Sequence, residues 1–171
     1  GIQPRWASGY QILGLVTLMQ LTNLKKELSE LANTLNSEEF EIPGKSLATR
    51  LKNKVPIIYA SLENEALART WKIDFTENTK IPAFFNVFPE LNHHEMTGFD
   101  VIPITKNLSK NFFFIFLQDI SDHPKIIKRM EVTKDLYQQR GLPVKIIPIV
   151  GQTIFQKLFS SLLLVGWTTY Y

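Results

Sequence analysis

The 171-residue chain contains no cysteine. That excludes a disulfide framework, a thiol nucleophile and any Cys-ligated zinc or iron–sulfur centre, and it makes a reducing compartment, the cytoplasm, the default expectation. No run of about 18 or more apolar residues occurs, so no membrane span is predicted; residues 12–19 and 162–167, the most apolar tracts, read as buried helices. Phosphate loops of the GxxxxGKS/T or GxGxxG type are missing, which argues against nucleotide cofactors. The opening residues show neither a Met nor a basic segment leading into an apolar core with a cleavage site. No signal peptide is therefore read, and the sequence is expected to come from the middle of a longer chain. Charge of one sign is also scarce: Lys and Arg number 19 against 16 acids, net +3, and the cations are scattered. Nucleic acid is not the expected partner, and a small phosphorylated molecule would be as well served.

What remains is the composition of one globular domain, 44% hydrophobic and 20% charged, long enough to bury a core and too short for two ordinary ones. Residues 1–20 read as an apolar helix starting at Pro4, a core or interface element. Leu21, Leu24, Leu28, Leu31 and Leu35 are spaced 3, 4, 3, 4, with Lys25, Lys26, Glu27 and Glu30 on the other face. They predict an amphipathic helix whose stripe packs on a domain or subunit. Residues 36–44 read as a polar loop and 45–54 as a short basic helix.

Residues 55–60, apolar and mostly β-branched, predict a buried strand feeding Ser61 and a helix over about 63–71. Further strands are expected at 99–104, 112–117 and 144–150, with a polar turn at 106–111 and helices from Asp122/Pro124 to Gly141 and over 152–171. The alternation predicts an α/β fold, a three-layer α-β-α sandwich around a mainly parallel sheet of four or five strands. Ligands of such sheets bind beyond the carboxyl ends of the strands, which places Ser61 at the functional edge as a substrate contact or, more plainly, a helix cap.

Chemistry concentrates between Thr76 and Phe99, TENTKIPAFFNVFPELNHHEMTGF. Glu and His are the side chains most used as general base and acid near neutral pH, and apolar neighbours such as Phe84, Phe85, Val87 and Phe88 tune a carboxylate for that work. Pro82 and Pro89 stiffen the backbone on either side. His93, His94 and Glu95 raise the alternative of a metal site. Successive residues point in different directions and HExxH is missing, so no metal is expected. Glu90 reads as a structural cap, and Asn92 as an acceptor that orients the His93 ring. Tyr59, Trp71 and the phenylalanines are core.

The segments Glu77-Asn78-Thr79-Lys80, Pro82-Ala83 and Pro89-Glu90-Leu91-Asn92-His93-His94-Glu95 resemble the signature of the bifunctional phosphoglucose/phosphomannose isomerases, and Pro4-Arg5-Trp6-Ala7 with Gly9-Tyr10 resembles another segment of that family. The resemblance implies a single C-terminal sugar isomerase (SIS) domain, flavodoxin-type, over residues 1–171. It implies Glu77 as the base moving a proton between C1 and C2, and His93, sixteen positions on, as the ring-opening group. Arg5 becomes a cation against the enediolate and a substrate contact; without the resemblance it reads as a surface cation. Ser61 and Asn92 are carried as substrate-binding candidates.

The reaction implied interconverts glucose 6-phosphate or mannose 6-phosphate with fructose 6-phosphate and needs no metal or redox cofactor. The implied partners are an N-terminal SIS domain holding the phosphate, a second subunit in a homodimer, and the sugar phosphate. The family also has a lysine beyond the position of Tyr171, and an acidic residue where this sequence has Trp167. The alternatives are a SIS domain that binds sugar phosphates without catalysis and a pure assembly domain.

Overall fold

A computed structural model describes residues 7–171. Among the described residues, eight α-helices and four strands run in the order α1 (Ser8–Leu18), α2 (Thr22–Thr34), α3 (Glu41–Leu51), β1 (Val55–Ser61), α4 (Glu65–Asp74), β2 (Phe84–Phe88), α5 (Glu95–Gly98), α6 (Lys106–Ser109), β3 (Phe112–Asp119), α7 (Pro124–Gln139), β4 (Val144–Ile149) and α8 (Ile154–Tyr170). The sheet is wholly parallel in the order β2-β1-β3-β4, with Ile57 beside Phe84, Val55 beside Phe112 and Phe114 beside Val144. This is the expected three-layer sandwich. The chain leaves β1 for β2 on one flank and reaches β3 on the other, which opens a crevice beyond the carboxyl ends of β1 and β3.

The two interior strands are the most apolar because helices cover both their faces. On one face Ile58, Ala60, Ile115, Leu117 and Ile147 pack with Leu47, Trp71 and Val165 from α3, α4 and α8. On the other, Tyr59, Phe114 and Phe116 pack with Leu91, Met130 and Tyr137, from the segment after β2 and from α7. Tyr59 and Trp71 are wholly buried, as expected of core residues.

Several expectations are corrected. Residues 99–104 form no strand: Val101 has φ +55°, Pro103 lacks the N–H a ladder needs, and Phe99 turns its ring edge onto Phe112 and Phe114. The fourth strand is instead β2, an edge strand built from the phenylalanines read as an apolar wall. Residues 106–111, expected as a turn, contain the one-turn helix α6. Residues 36–44 are not a loop. After a 3₁₀ turn, Ser37–Phe40, α3 takes in both Pro43, tolerated in a first turn, and Gly44.

The apolar stretch 12–19 is not core either. Val16 is buried, but Leu15, Leu18 and Met19 are more than half exposed, so α1 offers an apolar surface rather than filling one. Leu24, Leu28, Leu31 and Leu35 do pack, against Val16, Phe155 and Phe159. The predicted start at Pro4 lies outside the described residues. Among those described, no helix is long and apolar enough to cross a membrane.

Candidate active site

Glu77 sits in a single π-helical turn, Phe75–Thr79, that ends α4. Such turns are rare and recur at functional sites because the wider coil re-aims one side chain. Local bonds hold it. The Thr79 hydroxyl donates to the Phe75 carbonyl at 2.6 Å, Asn78 Nδ2 donates to Thr169 Oγ1 of α8 at 2.9 Å, and Lys80 leaves the turn with φ +59°. Asn78 and Thr79 thus brace the backbone on which Glu77 stands exposed. Because α4 runs back from the end of β1, this turn lies at the amino edge of the sheet, just ahead of β2.

His93 lies beyond the other end of β2, after a 3₁₀ turn, Glu90–Asn92. At about 3.3 Å per residue the five residues of β2 alone advance about 13 Å, so a single copy of the chain does not bring Glu77 and His93 together. His93 is exposed. His94 pairs with Glu90, Nε2 to Oε1 3.4 Å, so Glu90 serves that pair and not the cap expected of it. Asn92 does not orient His93: its Nδ2 donates to Thr133 Oγ1 of α7 at 2.8 Å, and its Oδ1 is buried with no partner. Glu95, unassigned from sequence, accepts from the Tyr59 hydroxyl at 2.5 Å and from Asn86 Nδ2. Arg5 lies outside the described residues.

The crevice between β1 and β3 holds a second cluster in a cleft of ≈ 530 Å³. Lys157 Nζ donates to both oxygens of Asp119, 2.7 and 2.9 Å, and to Ser121 Oγ at 3.1 Å. Asp122 accepts from the Asp119 amide, and Asn64 Nδ2 bridges Asp122 Oδ1 to Ser61 Oγ at 3.2 and 3.0 Å. Ser61 is fully buried and makes no helix-cap bond. It faces this cluster through Asn64. Burial would raise the Asp119 carboxyl, but hydrogen bonds from Lys157 and from the Ser121 amide and hydroxyl outweigh it and hold the group below its ordinary value.

Sequence reading missed this cluster, although an Asp ending the most apolar strand was a signal. With Glu63, Asp119 and Asp122 against Lys157, the cleft lining carries three carboxylates and one ammonium. Its cation is already engaged, so it offers little to a phosphate dianion. Among the described residues no group of three or more His, Asp or Glu is placed to hold a metal ion.

Trp167 has a structural explanation. A Cβ added at Gly44 would sit 2.5 Å from the Trp167 Cβ and 3.0 Å from the Thr168 nitrogen. The glycine is what lets α3 and α8 approach, while Trp167 Nε1 donates to the Ser37 carbonyl at 2.8 Å.

Among solved structures the fold is similar to a glucose-6-phosphate isomerase like protein from Thermus thermophilus, TM-score 0.71 at 14% identity over 99% of this chain and 56% of that one. It is also similar to a glucosamine-6-phosphate deaminase from Thermotoga maritima, TM-score 0.63 at 13% identity over 99% and 51%. In sequence it is 35% identical to a bifunctional phosphoglucose/phosphomannose isomerase of Caldicellulosiruptor bescii, over all of this chain and 54% of that protein. With the Aquifex aeolicus enzyme of the same name it is 25% identical over 99% of this chain and 52% of that protein. The chain therefore spans about half the length of these curated relatives. The family of bacterial phospho-glucose isomerase C-terminal SIS domains matches residues 40–171, taking in β1 to β4 and both Glu77 and His93, and the chain belongs to it.

Proposed function

We propose that the chain is the C-terminal domain of a hexose-phosphate isomerase that interconverts glucose 6-phosphate or mannose 6-phosphate with fructose 6-phosphate. The observation that carries this reading is the family match across Glu77 and His93, on a π-helical turn that presents Glu77 outward. The two aldoses differ only at C2. Once His93 has opened the ring, the Glu77 carboxylate takes the C2 proton, the proton on O2 passes to O1, and return of the carbon-bound proton to C1 gives the ketose from either epimer. Arg5 offsets charge on the enediolate, a kind of electrostatic contribution worth several kcal/mol in comparable sites.

Since β2 separates Glu77 from its own His93, the imidazole that meets Glu77 comes from a second copy. The exposed Leu15 and Leu18 of α1 and Met19 just after it supply surface for that association. The phosphate is held by the part of the enzyme these residues do not include, in keeping with an acidic crevice whose lysine is occupied. Ser61 and Asn92 act through their neighbours rather than on substrate.

Glu77→Gln in the full-length enzyme tests the reading, because the amide keeps the shape and loses the base. Isomerisation of both hexose phosphates should fall by about 10²- to 10⁴-fold with substrate binding nearly intact. Activity within about tenfold of wild type removes Glu77 as the base.

A further inference from the structure

We infer that Glu95 is a positioning residue for His93, an inference that rests on the function proposed above. The exposed His93 side chain has no hydrogen bond or ion pair among the described residues to aim it, so its direction is that of its backbone. That backbone is a 3₁₀ turn followed by the four-residue helix α5, far too short to be stable alone. It is held from outside. Leu91 is wholly buried, Asn92 is tied to Thr133 on α7, and Arg140 Nη1 donates to the Met96 and Phe99 carbonyls at 3.2 Å. Glu95 supplies the link to the sheet itself, with one oxygen on Tyr59 of β1 and the other on Asn86 of β2.

Both donors are fixed in kind. Burial first, then the charges and hydrogen bonds around it, Glu95 included, push the Tyr59 hydroxyl far above its ordinary range, so it keeps its proton. The Asn86 Oδ1 accepts the Val87 amide at 2.8 Å, which commits its Nδ2 to Glu95. Two donors converging on one side chain call for a group with two acceptors, which a carboxylate is and an amide or an alkyl chain is not. Without it, the segment loses its register on β1 and β2, and a displacement of about 1 Å at a reacting group can cost about 10²-fold in rate.

The test uses Glu95→Leu, Tyr59→Phe, His93→Ala and the double variant His93→Ala/Glu95→Leu in the full-length enzyme, assayed for fructose 6-phosphate formation with thermal melting alongside. Glu95→Leu should lower kcat by about 10²-fold with KM within about twofold. Tyr59→Phe, which removes one hydroxyl and serves if Glu95→Leu fails to fold, should lower kcat by about tenfold. The double variant should be no slower than His93→Ala alone, since Glu95 acts through that imidazole. An unchanged kcat in both Glu95→Leu and Tyr59→Phe, or a further loss when Glu95→Leu is added to His93→Ala, overturns the inference. If His93→Ala itself leaves isomerisation intact, the functional reading of His93 fails first, and the two failures are told apart.

Discussion

Glu77 and His93 stand at opposite ends of the same five-residue strand, the carboxylate ahead of β2 and the imidazole beyond it. In the function proposed above, a site that needs both is assembled from two copies, and that has a consequence in mixtures. Glu77→Gln and His93→Ala enzymes, each inactive, should regain activity when co-refolded. Half of the dimers are mixed and one site in each mixed dimer keeps both groups, so about a quarter of wild-type activity returns. No recovery in a preparation shown to contain mixed dimers places both groups in one copy.

The chain should self-associate through α1. Leu18 is 83% exposed and Met19 58%, and an apolar groove of ≈ 820 Å³ runs between α1, α2 and α8 to Ile73 and Asp74, beside the turn that carries Glu77. Sedimentation at ~10 μM, where weak dimers form, should show a dimer that Leu18→Glu disperses. A strict monomer for the wild-type chain counts against this.

The 171 residues alone should have no useful isomerase activity. Positioning within about 3 to 3.5 Å supplies roughly 7 to 11 kcal/mol of a barrier, and in the reading proposed above the anchor, the phosphate, is held by the rest of the enzyme. A coupled assay for fructose 6-phosphate decides it. Robust turnover by this chain puts the phosphate site within it.

Gly44→Ala should destabilise the fold by about 1–3 kcal/mol, since the added methyl meets Trp167 at 2.5 Å and backbone at 3.0 Å. Urea unfolding reads the loss, and Gly98→Ala, where a Cβ meets nothing within 4 Å, is the control. Equal effects at both positions remove the close approach of α3 and α8 as the cause.

Acid should weaken the fold through Asp119. Its carboxyl is held below the ordinary 3.8, so the stability it contributes is fully present above about pH 4 and is lost as pH falls through the lower folded value. Lys157→Met leaves a nearly buried carboxylate without its cation and should cost about 3 kcal/mol at pH 7. Without the lysine the Asp119 carboxyl loses its largest lowering partner and rises from its wild-type value, so the deficit should shrink towards pH 3. Unfolding measured at both pH values checks the sign; a deficit that grows in acid contradicts it.

Sequence alone determined the layer architecture. FFFIFL is short, aromatic and wholly apolar, which favours a strand covered on both faces over a helix, and the alternation of such runs with helical segments leaves a parallel sheet as the economical arrangement. The Glu77/His93 spacing was legible for the same reason: it is local. The strand expected over residues 99–104 fell because apolar content does not report φ, and β2 went uncounted because Phe and Val suit a pocket wall as well as an edge strand. Tertiary structure decided what depends on distant partners. It put Glu77 and His93 at opposite edges, turned Asn92 to Thr133 instead of His93, paired Asp119 with a lysine 38 residues on, and required Gly44 under Trp167. No local period encodes these contacts, because each side chain's partner is chosen by how the layers close over the sheet.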